Sequence, residues 1–199
     1  MLLVTPQTLA LRMGLQSVAT TQANELLEAS IKASQIRMES EYGSSFSYQD
    51  NYDTFFLDAD SFSSAVQGGA YRLRLSNAFV DFKTLRVGVS STWNSNDMEE
   101  IDKSLFRLDG ERGILLVDNS LKDRYISVVY FSGFQDDYVV PAWLEEAILA
   151  FAPLVFDIAQ ITNRTPELTK SYEKSSEHAL AIITKHRRNT GMLFRPLGV

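Results

Sequence analysis

Residues 126–151, ISVVYFSGFQDDYVVPAWLEEAILAF, join a strand to a helix through one short polar connection, and this junction decides the fold. The part from Ile126 to Phe131 is rich in the β-branched and aromatic residues that strands prefer. Gly133 and two aspartates interrupt it, and Pro141, a residue suited to a first helical turn, precedes a strongly apolar segment. The stretch contains no nucleophile beside a base and no phosphate loop, so it carries information about architecture.

The helix after the junction is predicted at about residues 141–160. Pro153 lacks a backbone donor and clashes with the preceding turn, so we expect this helix to be bent or divided between Leu149 and Pro153. One face stays apolar for nearly six turns, at Trp143, Leu144, Ala147, Ile148, Phe151, Val155 and Ile158.

Two helices are predicted before the junction and one after that helix. Thr5 and Pro6 start a short helix that ends near Met13. A longer helix at about 22–42 ends at Gly43. Its apolar stripe recurs at steps of three and four residues, at Leu27, Ile31, Ser34, Met38 and Tyr42. The last helix begins with Thr165 as cap and Pro166 at its first position, and runs to about Asn189.

The region between the long helix and the junction alternates polar and apolar residues in short segments, which predicts an antiparallel β meander. The strand-length segments are DTFFLDA (53–59), YRLRLS (71–76), FKTLRVGVS (82–90), LFRLD (105–109), GILLVD (113–118) and RYISVVYF (124–131). LDGERGILLVD (108–118) predicts a tight hairpin, and the glycines of QGGAYR (67–72) predict another. Residues 44–52 and 90–103 are expected to be exposed, aromatic-containing loops.

These patterns together predict an α+β fold, in which a small helical bundle carries an antiparallel β meander or sandwich between its second and third helices. A C-terminal helix and an extended tail complete the chain. The corresponding domain boundaries are 1–45 and 135–190 for the bundle, 46–134 for the β region and 191–199 for the tail.

Composition limits the possible functions. Cysteine is absent, which excludes disulfides, thiolate metal sites and a cysteine nucleophile. The longest apolar run has ten residues, about half of the roughly 20 needed to cross a bilayer. The N-terminus lacks the features of a signal peptide. We therefore expect a soluble protein made in the cytoplasm.

The charge is distributed unevenly along the chain. Residues 1–165 hold 13 Lys and Arg against 22 Asp and Glu, whereas residues 166–199 hold six against three. An acidic body argues against non-specific DNA binding, and a basic tail is suited to an acidic partner.

Candidate chemical groups are few, and structural roles explain them better. His178 and His186 lie eight residues apart on the last predicted helix, about 80° apart around its axis, so they do not chelate one ion together. The acidic groups Asp58 to Asp60, Asp136 with Asp137, and Glu145 with Glu146 lack the spacing of a calcium loop. Turns and a first helical turn account for them. We therefore expect no catalytic, cofactor or metal site and no cofactor.

The order of elements and one motif resemble the head-to-tail connector family of tailed bacteriophages, also called adaptor or head-completion proteins. The resemblance is carried by a V-x-Y-x-x-G strand end and a P-x-x-L/I-x-x-A helix, matched by Val128, Tyr130, Gly133, Pro141, Leu144 and Ala147. The opening LVTPQTLALRMG is similar to the first helix of the family. The resemblance covers residues 1–160 in layout and does not extend to 166–199.

The resemblance implies a non-enzymatic ring in the virion neck, usually of twelve copies, with DNA passing through its lumen. The implied partners are the portal protein, neighbouring copies and downstream neck or tail proteins, with no membrane. The C-terminal segment would engage the portal, which makes Arg187, Arg188, Met192, Leu193, Phe194, Arg195, Pro196 and Leu197 docking candidates. Aromatic side chains of the exposed loops are candidates for contacts between subunits or with the tail side: Trp93, Phe46, Tyr48 and Tyr52.

Two alternatives remain open at this point. Another phage ring component, such as a stopper or tail-completion protein, would be dominated by its β part, so its long helices would not need to pack together. A small soluble enzyme with its site in the β region would need its acid, base and nucleophile from scattered Asp, Glu and Ser residues. Arg187 and Arg188 with Lys185 would otherwise form a solvated helix end.

Overall fold

The computed structural model describes residues 1–15, 21–58, 66–67, 69–92, 98–135, 139–160 and 166–186. Its helices are α1 (Pro6–Arg12), α2 (Thr21–Tyr42), α3 (Ala142–Gln160) and α4 (Pro166–His186). Its strands are β1 (Gln49–Phe56), β2 (Val66–Gln67), β3 (Ala70–Arg74), β4 (Arg86–Ser90), β5 (Glu99–Glu100), β6 (Phe106–Asp109), β7 (Ile114–Asp118) and β8 (Tyr125–Ser132). The predicted α+β fold is confirmed.

The chain divides into two units. The helical unit comprises Met1–Gly43 together with the chain from Phe134 through α4, and the β unit includes Ser44–Gly133. The helical unit is therefore built from two separate stretches of sequence.

In the helical unit, α2 packs against α3 and α3 against α4. All five residues of the predicted α2 stripe, Leu27, Ile31, Ser34, Met38 and Tyr42, are buried. The Oγ of Ser34 donates to the carbonyl of Ser30 at 2.7 Å, which satisfies a hydroxyl that the helix buries. Gly43 ends α2 at φ +77°, with its N–H donating to the carbonyl of Glu39.

One local hydrogen bond and one to α2 fix the N-terminal residues. The Oγ1 of Thr5 accepts from the backbone N–H of Thr8 at 3.1 Å and caps α1, as the Thr-Pro pair predicts. The side-chain carbonyl of Gln35 accepts from the N–H of Leu3 at 2.9 Å. This second contact explains why Gln35, a polar residue outside the predicted stripe, is buried.

Helix α3 contains Pro153 and runs from Ala142 to Gln160 without interruption. Of the two predicted effects of Pro153, a division of the helix does not occur, because a single missing N–H leaves the surrounding turns hydrogen-bonded, and a bend stays a prediction. The buried face of α3 includes Leu144, Ala147 and Ile148. The side chain of Ile158 lies outside the described residues.

The β unit has two four-stranded sheets, ordered β1-β8-β4-β5 and β2-β3-β7-β6, and every pair of neighbours is antiparallel. The β6-β7 and β2-β3 hairpins form as predicted, with Gly69 at φ +82° in the second. The order differs from a simple meander, because β1 pairs along its whole length with β8, the last strand. Local alternation carries no information about such distant pairing.

One apolar core lies between the sheets. It contains residues of β1, β3, β4, β6, β7 and β8: among them are Phe55, Tyr71, Leu73, Val87, Phe106, Leu115, Val117, Ile126 and Val128. Each aliphatic or aromatic side chain buried in this way stabilises the folded state by about 1.5–3 kcal/mol. The alternation in YRLRLS has the predicted direction, since Tyr71, Leu73 and Leu75 face this core.

Two predicted loops are shorter than expected. Residues 49–52 of the expected 44–52 loop belong to β1. The described end of the 90–103 loop returns to the sheet, where β5 pairs with β4 and Met98 packs over Gly88. A Cβ at Gly88 would lie 2.5 Å from the Cγ of Met98, so glycine at this position is what admits the Met98 side chain.

Candidate assembly surface

The strand half of the junction motif fixes the end of β8 from inside the β unit. Val128 and Tyr130 both point into the core and are fully buried. The hydroxyl of Tyr130 donates to Oδ2 of Asp53 at 2.7 Å and accepts from the N–H of Asn77 at 3.1 Å. Asp53 also accepts from the N–H and the hydroxyl of Ser76, at 2.7 and 2.6 Å. A buried carboxylate with three donors is satisfied, so its burial costs little.

Gly133, the glycine of the motif, holds a strained turn. Phe79 adopts φ +54°, which is costly for a bulky residue. Its carbonyl accepts from the N–H of Gly133 at 3.1 Å, and its ring packs edge-on against Phe46 at 5.6 Å. Gly133 itself lies at φ +90°, and a Cβ there would be 2.2 Å from the carbonyl oxygen of Ser47. No other residue fits this position without movement of the backbone.

The helix half of the motif starts α3 and packs it. The carbonyl of Pro141 accepts from the N–H groups of Leu144 and Glu145, at 2.9 and 3.1 Å. Leu144 and Ala147, one turn apart, are fully buried. The motif therefore serves packing and backbone geometry at all six positions, and none of them presents a reactive group.

The outward side of the first sheet carries an aromatic face, defined here as Tyr48, Tyr52, Phe56, Tyr125 and Phe131. Tyr48 stacks on Phe131, with ring centroids 5.1 Å apart at 20°. Phe56 and Tyr125 are cross-strand partners in β1 and β8, and their rings lie 4.8 Å apart. Tyr52 is 52% exposed, and Phe56 and Phe131 are each 37% exposed. Exposed aromatic side chains grouped in this way are typical of protein contact surfaces.

The four predicted contact residues do not share one location in the structure. Tyr48 and Tyr52 belong to the aromatic face, and the hydroxyl of Tyr52 donates to Oγ of Ser127 at 3.2 Å. Phe46 is 2% exposed and packs on Phe79, so its side chain offers almost no surface to another chain. Sequence reasoning missed Phe56, Tyr125 and Phe131, because their outward direction follows from the β1-β8 register. Trp93 and the eight portal-docking candidates, Arg187, Arg188 and Met192–Leu197, lie outside the described residues.

The described residues hold no group of three or more His, Asp or Glu side chains placed to bind a metal ion. Glu146 forms an ion pair with Arg12 at 2.6 Å, and Glu145 lies in the first turn of α3. His178 is exposed, while the imidazole of His186 stacks on Trp143 at 4.4 Å. Asp136 and Asp137 lie outside the described residues, as do two of the three residues of the Asp58–Asp60 group.

Shifted pKa values in the described chain have structural causes. Burial, with smaller contributions from Asp123 and Asp58, raises the pKa of Tyr71 in the β core. Hydrogen bonds from Ser104 and Ser120 lower the pKa of Asp102 and Asp118, each of which caps a short 3-10 turn. Capping explains these two shifts without a catalytic role.

Among the clefts lined by described residues are one of about 460 Å³ and one of about 270 Å³. The larger lies between the N-terminus and α2 and includes Glu25, Glu28 and Lys32. The smaller includes Ser104, Arg107 and Asp118. Neither combines a nucleophile with a histidine base, the arrangement that acyl-transfer enzymes use. No helix in the described ranges is long and apolar enough to span a membrane.

No family model and no curated protein matches this chain. Among solved structures, a chain in the neck of an empty gene transfer agent particle, computed with C6 symmetry, has a TM-score of 0.47 and 13% identity over 98% of this chain and 92% of that chain. A chain in the virion of a native gene transfer agent particle has a TM-score of 0.46 and 13% identity over the same shares. Both TM-scores lie below 0.5.

Proposed function

We propose that this chain is a non-enzymatic structural protein of a phage-like virion neck, a head-to-tail connector that assembles with copies of itself in a ring under the portal. The observation that carries the proposal is the strand-to-helix junction. Val128, Tyr130, Leu144 and Ala147 are buried, Gly133 has room for no Cβ, and the carbonyl of Pro141 accepts hydrogen bonds from the first turn of α3. These are the positions at which the chain resembles the connector family.

The packing of the long helices favours a connector over a stopper or tail-completion protein. The ring of Tyr42, at the end of α2, lies 5.6 Å from the indole of Trp143 in the first turn of α3, and the two helices pack along their buried faces. A connector needs this helical unit as the body of its ring. A protein dominated by its β part would not require α2 and α3 to pack together.

The charge distribution suits a ring through which DNA slides. The acidic body would not hold phosphates as the DNA passes, whereas a basic lining would bind them at each step. The basic and apolar tail, Arg187, Arg188 and Met192–Leu197, is the segment that we propose docks on the portal. Basic and apolar segments of this kind bind a partner by filling a groove or by adding a strand to a sheet edge.

The aromatic face is the surface that we propose contacts a neighbouring copy or a downstream neck protein. Tyr48 and Tyr52 contribute to it, and Trp93 of the 90–103 segment is a further candidate. The resemblance to connectors implies about twelve copies in the ring. The proposed location is the head-tail junction of the virion.

The test is a mass measurement of the purified full-length chain, alone and mixed with the portal protein of the same virus. A ring, or a stoichiometric complex with portal, supports the proposal. Removing residues 190–199 should leave a folded subunit that no longer binds portal. A wild-type chain that stays monomeric and does not bind portal would contradict the connector function, and a truncated chain that binds as before would remove the tail from it.

The enzyme alternative has a separate test. A small hydrolase or binding protein would gain thermal stability from its ligand. A rise in the melting temperature of the chain with one compound of a metabolite and metal panel would favour this alternative. A melting temperature unchanged across the panel agrees with a structural protein.

A further inference from the structure

We propose that His186 is a positioning residue, which fixes the point at which the C-terminal tail leaves the helical unit by stacking on Trp143. The proposal deepens the portal-docking role of Arg187, Arg188 and Met192–Leu197 and so rests on the proposed function. It concerns the root of the tail, which lies in the described part of the chain.

The stack has the geometry of a specific contact. The imidazole of His186 and the indole of Trp143 are 4.4 Å apart between centroids and 6° from parallel. Tyr42 approaches the same indole with its centroid at 5.6 Å. Aromatic pairs at such distances stabilise a contact beyond the area that they bury.

The three rings come from three different helices. Tyr42 is the last residue of α2, Trp143 is the second residue of α3, and His186 is the last residue of α4. Trp143 therefore joins the ends of α2 and α4 at the start of α3. The next residue after His186 is Arg187, the first of the portal-docking candidates.

His186 continues the buried stripe of α4. Ala179 and Ile183 are buried, and His186 follows them at steps of four and three residues. Helix ends fray when nothing packs on the last turn. The indole of Trp143 supplies that packing at His186, so the last turn of α4 stays attached to the bundle.

A fixed root matters for a tail that docks on another protein. A tail that starts from one point has a higher effective concentration at its docking site than a tail whose root also moves. The proposal predicts that loss of the stack weakens portal binding while the subunit stays folded.

The absence of cysteine allows a direct test in the full-length chain. Spin labels are attached to Ala33→Cys, on the exposed side of α2, and to Lys185→Cys, an exposed residue in the last turn of α4 next to His186. The distribution of distances between the two labels is measured in the doubly labelled parent chain and in the same chain with His186→Ala or His186→Phe. His178→Ala is the matched control, because His178 is an exposed histidine two turns earlier on the same helix.

The expected result is a narrow distribution in the parent chain, in His178→Ala and in His186→Phe, whose ring retains the stack, and a clearly broader one in His186→Ala. Portal affinity should fall by about tenfold in His186→Ala alone, on the scale of one lost contact. A narrow distribution in His186→Ala, or a broad one in the parent chain, would overturn the positioning role. Failure of the parent chain to bind portal would instead count against the proposed function, because the distance measurement does not depend on portal.

Discussion

The hydroxyl of Tyr130 donates to the carboxylate of Asp53 at 2.7 Å inside the β core, between strands that lie far apart in the sequence. The same hydroxyl accepts from the N–H of Asn77. Tyr130 therefore joins β1, β8 and the turn that follows β3. The tyrosine of the junction motif is needed for its oxygen as well as for its ring.

Replacing Tyr130 by Phe should lower the free energy of unfolding by about 2–3 kcal/mol, because the change leaves a buried N–H without its acceptor and removes a donor from a buried carboxylate. Urea denaturation, monitored by tryptophan fluorescence and circular dichroism, would measure this loss of stability. Tyr52→Phe removes a hydroxyl from a ring that is 52% exposed and is the control, with an expected loss below about 1 kcal/mol. Equal losses in the two variants would contradict the role given to Tyr130.

Gly133→Ala should destabilise the fold much more than Gly69→Ala. Both glycines have positive φ, at +90° and +82°, so both substitutions strain the backbone by about 1–2 kcal/mol. At Gly69 a Cβ meets nothing within 4 Å, whereas at Gly133 it would lie 2.2 Å from a backbone oxygen. The difference in thermal midpoint between the two variants isolates the steric effect from the conformational one. Similar midpoints would mean that the chain around Ser47 moves aside easily.

The sequence predicted the elements of this protein better than their pairing. The α2 stripe, the Thr5 cap, the Gly43 terminus and the β6-β7 hairpin all depend on neighbours within a few residues, and all are confirmed. The β1-β8 pairing depends on residues that are distant in sequence. A polar strand start such as Gln49 to Asn51 shows no alternation, so its sequence predicts a loop where the structure has the start of β1.

The candidate surface was predicted only in part, for the same reason. Tyr48 and Tyr52 are aromatic residues in a polar stretch, which predicts exposure, and Tyr48 is half-buried while Tyr52 is exposed. Phe46 has the same sequence context but packs on Phe79. The backbone of Phe79 itself has a positive φ, of +54°. A left-handed Phe is rare enough that no sequence pattern would have indicated this contact.

Gly88→Ala should detach β5 from the first sheet, because a Cβ at position 88 would lie 2.5 Å from Cγ and 2.8 Å from Sδ of Met98. Amide hydrogen exchange at Glu99, Glu100 and Ile101 would report the loss of pairing as faster exchange. Shortening the clashing side chain in Gly88→Ala/Met98→Ala should restore part of the protection. Failure of this rescue would place the clash in the Glu99 backbone, whose carbonyl lies 3.0 Å from the same Cβ.

Asp102 and Asp118 should contribute to the acid sensitivity of the β unit. Hydrogen bonds from Ser104 and Ser120 lower the pKa of both carboxyls in the folded state, so their stabilising effect is present above the unfolded pKa near about 4 and is lost as pH falls through the folded pKa. Asparagine caps equally well and does not titrate. The Asp102→Asn/Asp118→Asn variant should therefore lose less stability than the parent chain on acidification, measured by thermal midpoint.

The control for this prediction is Asp102→Ala/Asp118→Ala, which removes both caps. It should be less stable than the parent at neutral pH and should approach the parent as the pH falls. A parent chain and an Asn variant with parallel pH profiles would show that the two carboxylates do not contribute to acid unfolding.

Replacing Tyr52 and Phe131 together by Ser should prevent assembly while leaving the subunit folded. Both side chains are partly exposed on the outward side of the first sheet, at 52% and 37%, so neither is needed to fill the core. If the aromatic face lies at a contact between chains, the loss of two aromatic side chains would weaken each contact by at least about 2 kcal/mol, roughly thirtyfold. Native mass spectrometry of the chain with portal would show free subunits in place of a ring.

Ile36→Ser is the matched control. Ile36 is 58% exposed on α2, and the substitution removes a similar apolar side chain from the helical unit. Its assembly should match that of the parent chain. A double variant that assembles like the parent would exclude the aromatic face as a contact between chains. A double variant and an Ile36→Ser variant that both fail to assemble would point to surface hydrophobicity in general, because the effect would then not depend on which unit had lost its apolar side chain.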